Sequence, residues 1–177
     1  MRILLILSLF AMVNSCKTNN PSTTNAEQNT PKEVENENTE MIKTETSATI
    51  QNNSSFEIKY DEFDNSYLAE SAGKQKVFKF VVSEKAPEGT ADGNYTETIL
   101  FEFTDSMLPI SKASKNLQDV KLAFGKLCFC RDTGYYKIEE GTLSVTKKGN
   151  KYTIDLAFTI DGVSHRMSTV NETIVVK

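Results

Sequence analysis

The sequence predicts a mainly β fold, an antiparallel meander that forms a small sandwich or barrel with one short helix near 111–124. Three observations carry that expectation. From Phe56 onward the apolar residues recur at every second position, the period of a half-buried strand. Turn residues punctuate those runs, most clearly at Gly149-Asn150 and Asp161-Gly162. Nearly all of the aromatic residues lie in the same region, so the material for a core is concentrated there. A chain of 177 residues allows one domain, or one small domain and a tail.

The N-terminal segment is of another kind. In MRILLILSLFAMVNSCKTNN a single cation, Arg2, precedes an apolar run from Ile3 to Val13. Crossing a bilayer as a helix takes about 20 apolar residues, so this run is about half of a span. A short apolar run behind a cation, ending in a small residue, has the layout of a secretory signal. The stretch Val13-Asn14-Ser15-Cys16 resembles the lipobox of bacterial lipoproteins, with an aliphatic residue three positions before the cysteine and a small one directly before it. Asn14 departs from the small or apolar residue more common there.

The resemblance implies that residues 1–15 are a signal peptide cut before Cys16. It also implies that the Cys16 thiol carries a diacylglycerol and that the new amine is acylated. The alternative is a plain export signal with an incidental cysteine. Two or three acyl chains hold a protein on a membrane where one does not, at about 0.8 kcal/mol per buried methylene. Lys17 stands where Asp marks inner-membrane retention in such lipoproteins, and no acidic run directly follows Cys16. The implied location is the outer membrane, facing the periplasm.

Residues 17–55 are rich in Asn, Thr, Glu and Ser and contain no aromatic residue. Such a composition cannot bury enough apolar surface to offset the entropy of ordering. The expected organisation is therefore a lipid-anchored disordered linker at 16–55 and a β-rich domain at 56–177. As a flexible coil, residues 17–55 would span about 35 Å.

Within the domain, Phe56, Ile58 and Tyr60 alternate with Glu57 and Lys59 as a first strand. Phe78, Phe80 and Val82 share one face of a second. The loop SEKAPEGTADGN, with Pro87, Gly89 and Gly93, leads to a third strand in which Ile99, Phe101 and Phe103 share a face. In ISKASKNLQDVKLAFG, Ile110, Ala113, Leu117, Val120 and Phe124 fall near helical spacing with Gly125 as a stop. Val120, Leu122 and Phe124 also alternate, so the second half reads equally as strand. TLSVT, KKGN and KYTIDLAFTI form a hairpin, in which Tyr152, Ile154, Leu156, Phe158 and Ile160 alternate without a break. The block GTLSVTKKGNKYTIDLAFTIDG resembles a strand–turn–strand unit of small, uncharacterised lipoproteins of Bacteroidota, some with calycin-like or lipocalin-like domains. That resemblance implies a tethered β domain in a two-membrane envelope and transfers no catalytic residue.

Few residues point to chemistry. Cys128 and Cys130 project from the same strand face, a possible disulfide or thiol pair. On a regular strand their Cα atoms would lie about 6.6 Å apart, so a bond requires a break in the ladder. With Cys16 acylated this pair remains, and an oxidising envelope favours a bond. Zinc is the alternative, but beyond two thiolates only His165 and carboxylates such as Asp132 could complete a site. Asp132-Thr133-Gly134 is the triplet of aspartic proteases, whose chemistry needs paired carboxylates sharing a proton. Here Arg131 precedes it, and the triplet is also ordinary turn chemistry. The acidic loops DEFDN and EGTADGN lack the alternating oxygen ligands of a calcium loop. His165, the single histidine, has no partner motif.

No catalytic residue, metal site or cofactor is assigned, and an enzyme is not expected. The net charge of −4 gives no basic surface for nucleic acid. Two functions remain. One is a lipid-anchored envelope protein whose domain meets another protein or an envelope polymer. The other is a carrier for a small apolar ligand, held between strand faces such as that of Ile154, Leu156, Phe158 and Ile160. A filled interior favours the first and a connected apolar pocket the second.

Overall fold

The computed structural model describes residues 42–176. The expected signal peptide, Cys16 and the linker as far as residue 41 lie outside the described residues. Nine strands follow: β1 (Lys43–Tyr60), β2 (Ser66–Lys85), β3 (Tyr95–Phe103), β4 (Ile110–Ala113), β5 (Ala123–Cys128), β6 (Gly134–Lys137), β7 (Glu140–Lys148), β8 (Lys151–Thr159) and β9 (Thr169–Val175). They form two antiparallel sheets, ordered β1-β2-β3-β5-β6 and β4-β7-β8-β9. Of the two architectures expected, the open sandwich is the one formed.

The two inner faces carry the alternating residues read from the sequence. Phe78, Phe80, Ile99, Phe101, Phe103 and Phe124 from the first sheet meet Leu143, Val145, Tyr152, Ile154, Leu156 and Phe158 from the second. Their rings are in contact along the layer, Phe78 with Phe101 at 4.8 Å and Phe103 with Tyr152 at 5.8 Å between centroids. The buried Tyr152 hydroxyl donates to Asp105 Oδ1 at 2.8 Å, so its polar tip is satisfied. Leu117, Val120, Leu122 and Ile138 close the remaining side.

β1 corrects the expected boundary at residue 56. Residues 43–55, assigned above to the linker, belong to the strand. A composition rule looks for burial, and this edge strand needs little. Only Ala48 and Ile50 of its first half pack on the core, while the backbone groups on its inner side pair with β2 and those on the outer side face solvent.

At Asn53 the hairpin changes direction. Ser54 opposes both Ala72 and Gln75, and Asn53 has a φ of +54°, the signature of a bulge. Beyond it, the distal half of the hairpin folds over the outer face of its own sheet. There Phe56, Ile58 and Leu68 pack on Val77, Leu100, Ala123 and Tyr135 as a second, smaller core. The fold-over is fixed by Glu102, whose carboxylate accepts from Ser55 Oγ at 2.7 Å and the Phe56 amide at 2.8 Å and pairs with Lys121. β3 is thus covered on both faces.

The short helix expected near 111–124 is present as a 3-10 helix over Ser114–Val120, and the segment open to either reading continues as strand in β5. The helix buries Leu117 and Val120 and ends at Lys121, which takes the left-handed conformation with φ +50°. Gly125 is not its stop. It lies in β5, where the Tyr135 ring of the paired strand rests on it, and a Cβ there would come within 2.5 Å of that ring.

Candidate functional site

Two inward charges break the apolar pattern at one end of the sandwich. Glu97 shares the face of Ile99 and Phe101, and Lys126 shares that of Phe124; the two residues are opposite each other across β3 and β5. Both are almost fully buried, at 2% and 3% exposure. Such groups must be paired. Lys126 Nζ donates to both Asp132 oxygens, at 2.9 and 2.8 Å, and to the Ser164 carbonyl and hydroxyl at 2.8 and 2.7 Å. Glu97 accepts from the Tyr95 hydroxyl and from the amides of Arg166 and Met167, at 2.7 and 2.8 Å for the amides. Arg166 stacks its guanidinium 4.1 Å from the Tyr95 ring centre and pairs with Glu84.

This network fastens the loops at 129–133 and 160–168 to the sheet ends. Asp132 also accepts from the Ser164 amide at 3.0 Å and hydroxyl at 2.9 Å. Hydrogen bonds from Lys126 and then Ser164 hold its carboxyl well below the usual carboxylate range. An ionised aspartate fixed on an ammonium cannot share a proton with a second carboxylate, so the Asp-Thr-Gly triplet does not make a protease site here. Thr133 completes the turn, its hydroxyl donating to the Lys126 carbonyl at 3.0 Å. Desolvation, then the Glu97 carboxylate, raises the Tyr95 phenol pKa well above its ordinary value, so it stays a donor at neutral pH.

Cys128 and Cys130 form a disulfide, with Cα atoms 5.3 Å apart. Cys128 is the last residue of β5, so the bond sits where the ladder stops. Phe129 between them projects into solvent at 85% exposure. His165 is not drawn to the sulfurs. Its ring packs on Phe124 and Phe158, and its Nδ1 donates to the Val163 carbonyl at 2.9 Å. Among the described residues no three His, Cys, Asp or Glu side chains converge as metal ligands. In DEFDN, the Asp61 carboxylate accepts from the amides of Phe63 and Asn65 and closes a turn.

A groove of about 890 Å³ opens beside β6, the other edge of the first sheet. Tyr60, Tyr135, Tyr136 and Ile160 give it apolar walls, and Lys115, Lys137, Glu139, Glu140 and Asp161 give it charge. Gly141 admits the close approach of β7 and β8 at its base. With φ at +140°, a Cβ there would lie 2.1 Å from the Ala157 carbonyl oxygen. Burial raises the pKa of both phenols, with Glu70 adding to the effect at Tyr135 and Asp132 at Tyr136. The Tyr136 hydroxyl donates to the Asp132 carbonyl at 3.0 Å, which links groove and network.

The β6 backbone completes the groove. The Ile138 amide donates to Leu122 across β5, so by the antiparallel alternation the Tyr135 and Lys137 amides face outward. Tyr135 N–H is capped by Ser66 Oγ at 2.7 Å, and Lys137 lies on the open edge. Sequence reasoning missed Lys126, Glu97 and this groove. The two charges were readable as breaks in the alternation, but the groove depends on the hairpin folding over. Comparison with protein-family models, curated proteins and solved structures finds no match to this chain.

Proposed function

We propose that the chain is an envelope lipoprotein, anchored through acylated Cys16 to the outer membrane on its periplasmic side. Its sandwich acts as a non-enzymatic interaction module for another protein or an envelope polymer. The observation that carries the module reading is the filled interior. Ile154, Leu156 and Phe158, the face that a carrier would turn toward its ligand, are buried against the aromatic layer of the opposite sheet. What the surface offers instead is the groove beside β6, with phenols for apolar and hydrogen-bonding contact and an open strand edge. An extended segment can add to such an edge through main-chain bonds while the walls select side chains.

The two halves of the proposal are tested separately. Cys16→Ala should release the protein from membranes or block its maturation, and a soluble wild-type chain with unmodified Cys16 overturns the anchor. A photo-crosslinking residue in place of Lys137 should trap a discrete adduct in intact cells, while one in place of Asn171, exposed on the opposite sheet, should not. Equal trapping at both positions, or a purified chain carrying a stoichiometric apolar molecule, overturns the module.

A further inference from the structure

The register places several features at one end of the first sheet. Lys43 pairs with Lys85, Glu84 with Tyr95, and Tyr95 with Cys128, so the start of β1 and the end of β5 are side by side, separated by β2 and β3. With strands about 4.8 Å apart, Ile42 and the disulfide loop are about 15 Å from each other along that end. The chain enters the domain there. The same end exposes its large apolar side chains unpaired, Phe129 at 85%, Leu127 at 45% and Ile42 at 60%.

An isolated exposed leucine needs no explanation, but a phenylalanine presented at a loop apex between bonded cysteines is another matter. The disulfide joins the residues on either side of Phe129, and Asp132, two residues beyond Cys130, is fixed on the buried Lys126. The ring is therefore held outward on a braced loop. We infer that this end of the domain docks on the lipid bilayer, with Phe129 entering the interfacial region and Leu127 and Ile42 beside it. The inference rests on the anchoring proposed above. Residues 17–41 allow at most about 90 Å between an anchored Cys16 and Ile42, so the loop is confined near the surface and a weak contact is enough.

The chemistry of the contact is apolar. Lys43 and Lys85 pair with Glu45, Arg166 pairs with Glu84, and Arg131, exposed beside Cys130, is offset by Glu88 and Asp92, exposed in the neighbouring loop, so four cations face four anions and the end carries no net positive charge for acidic lipid. Docking this way leaves the groove beside β6 on the flank of the molecule. The far end, where the Val176 amide meets the Asn150 carbonyl, points away from the membrane.

The chain contains no tryptophan, so Phe129→Trp introduces a single indole. With Cys128 and Cys130 bonded, Cys16 is the one remaining thiol. The chain from Cys16 onward is coupled through that thiol to a maleimide lipid in phosphatidylcholine vesicles, which supplies the anchor whether or not cells do. Emission at position 129 should shift to shorter wavelength on coupling and be more than halved when brominated phosphatidylcholine replaces the ordinary lipid. Phe63→Trp, at the tip of the β1–β2 hairpin, is the comparison and should show neither effect, while Leu127→Trp should be quenched in part. An unquenched indole at 129, or equal quenching at 63, overturns the docking and leaves the loop as a surface for protein. Failure of Cys16 to be acylated in cells is read separately, by mass, and refutes the anchor alone.

Discussion

Asp132 is held as an anion by Lys126 Nζ and by the amide and hydroxyl of Ser164, which gives acid stability a local source. In the unfolded chain it takes up a proton near its ordinary value of 3.8, and in the folded chain only well below that. Between the two the unfolded state binds more protons, so acid favours unfolding. The contribution is complete above the ordinary carboxylate range and is lost as pH falls through the native value. The stability difference between wild type and Asp132→Asn should be largest near neutrality and shrink below about pH 4, measured by urea titration at each pH. A difference unchanged in acid would mean that the ion pair is not its origin. This residue was visible in the sequence as part of a turn triplet, but not as the partner of a buried ammonium. The triplet drew attention to it, whereas its partner Lys126 was marked only by sitting on the inward face with Phe124.

The long hairpin shows where pattern reading stops. Alternation located Phe56, Ile58, Phe78 and Phe80 correctly, because period two reports which residues share a face. It does not report which face is covered by what. A bulge at Asn53 carries no pattern of its own, and it turns Phe56 toward Leu100 rather than toward the central layer. The polar first half of β1 was equally silent, since an edge strand held mainly by backbone bonds has the composition of a linker. The short helix was legible, but where it gives way to β5 was not, because Val120, Leu122 and Phe124 satisfy both periods. β1 itself makes a prediction. The smallest protease-resistant fragment should begin at or before Lys43, and a chain beginning at Phe56 should unfold at lower urea, since β2 then loses its partner from Lys76 to Lys85. Equal stability of the two fragments, by mass and urea midpoint, would count against β1 as part of the domain.

For the molecule as a whole, β3 is the shared wall of both cores, with Phe101 in one and Leu100 in the other. The two clusters should therefore melt together. Leu100→Ala should cost about 2–5 kcal/mol and Phe101→Ala about 3–5 kcal/mol. Both should lower one common transition seen alike by far-ultraviolet and tyrosine signals. Two separated transitions would show that the folded-over hairpin is an independent unit. That hairpin also decides how the molecule carries a mechanical load. A pull on Ile42 directed across the sheet loads the rungs in turn, so β1 would part from β2 one rung at a time, whereas a pull along β1 would shear them together. The first ten rungs run from Lys43 opposite Lys85 to Asn52 opposite Lys76. Peeling ends at the bulge, because Ser55 and Phe56 beyond it are tied to Glu102 and pinned under the second core. Under such a transverse pull those rungs would release about 33 Å of slack before tension reaches the bulge, a built-in shock absorber at the point where the proposed tether would join the domain.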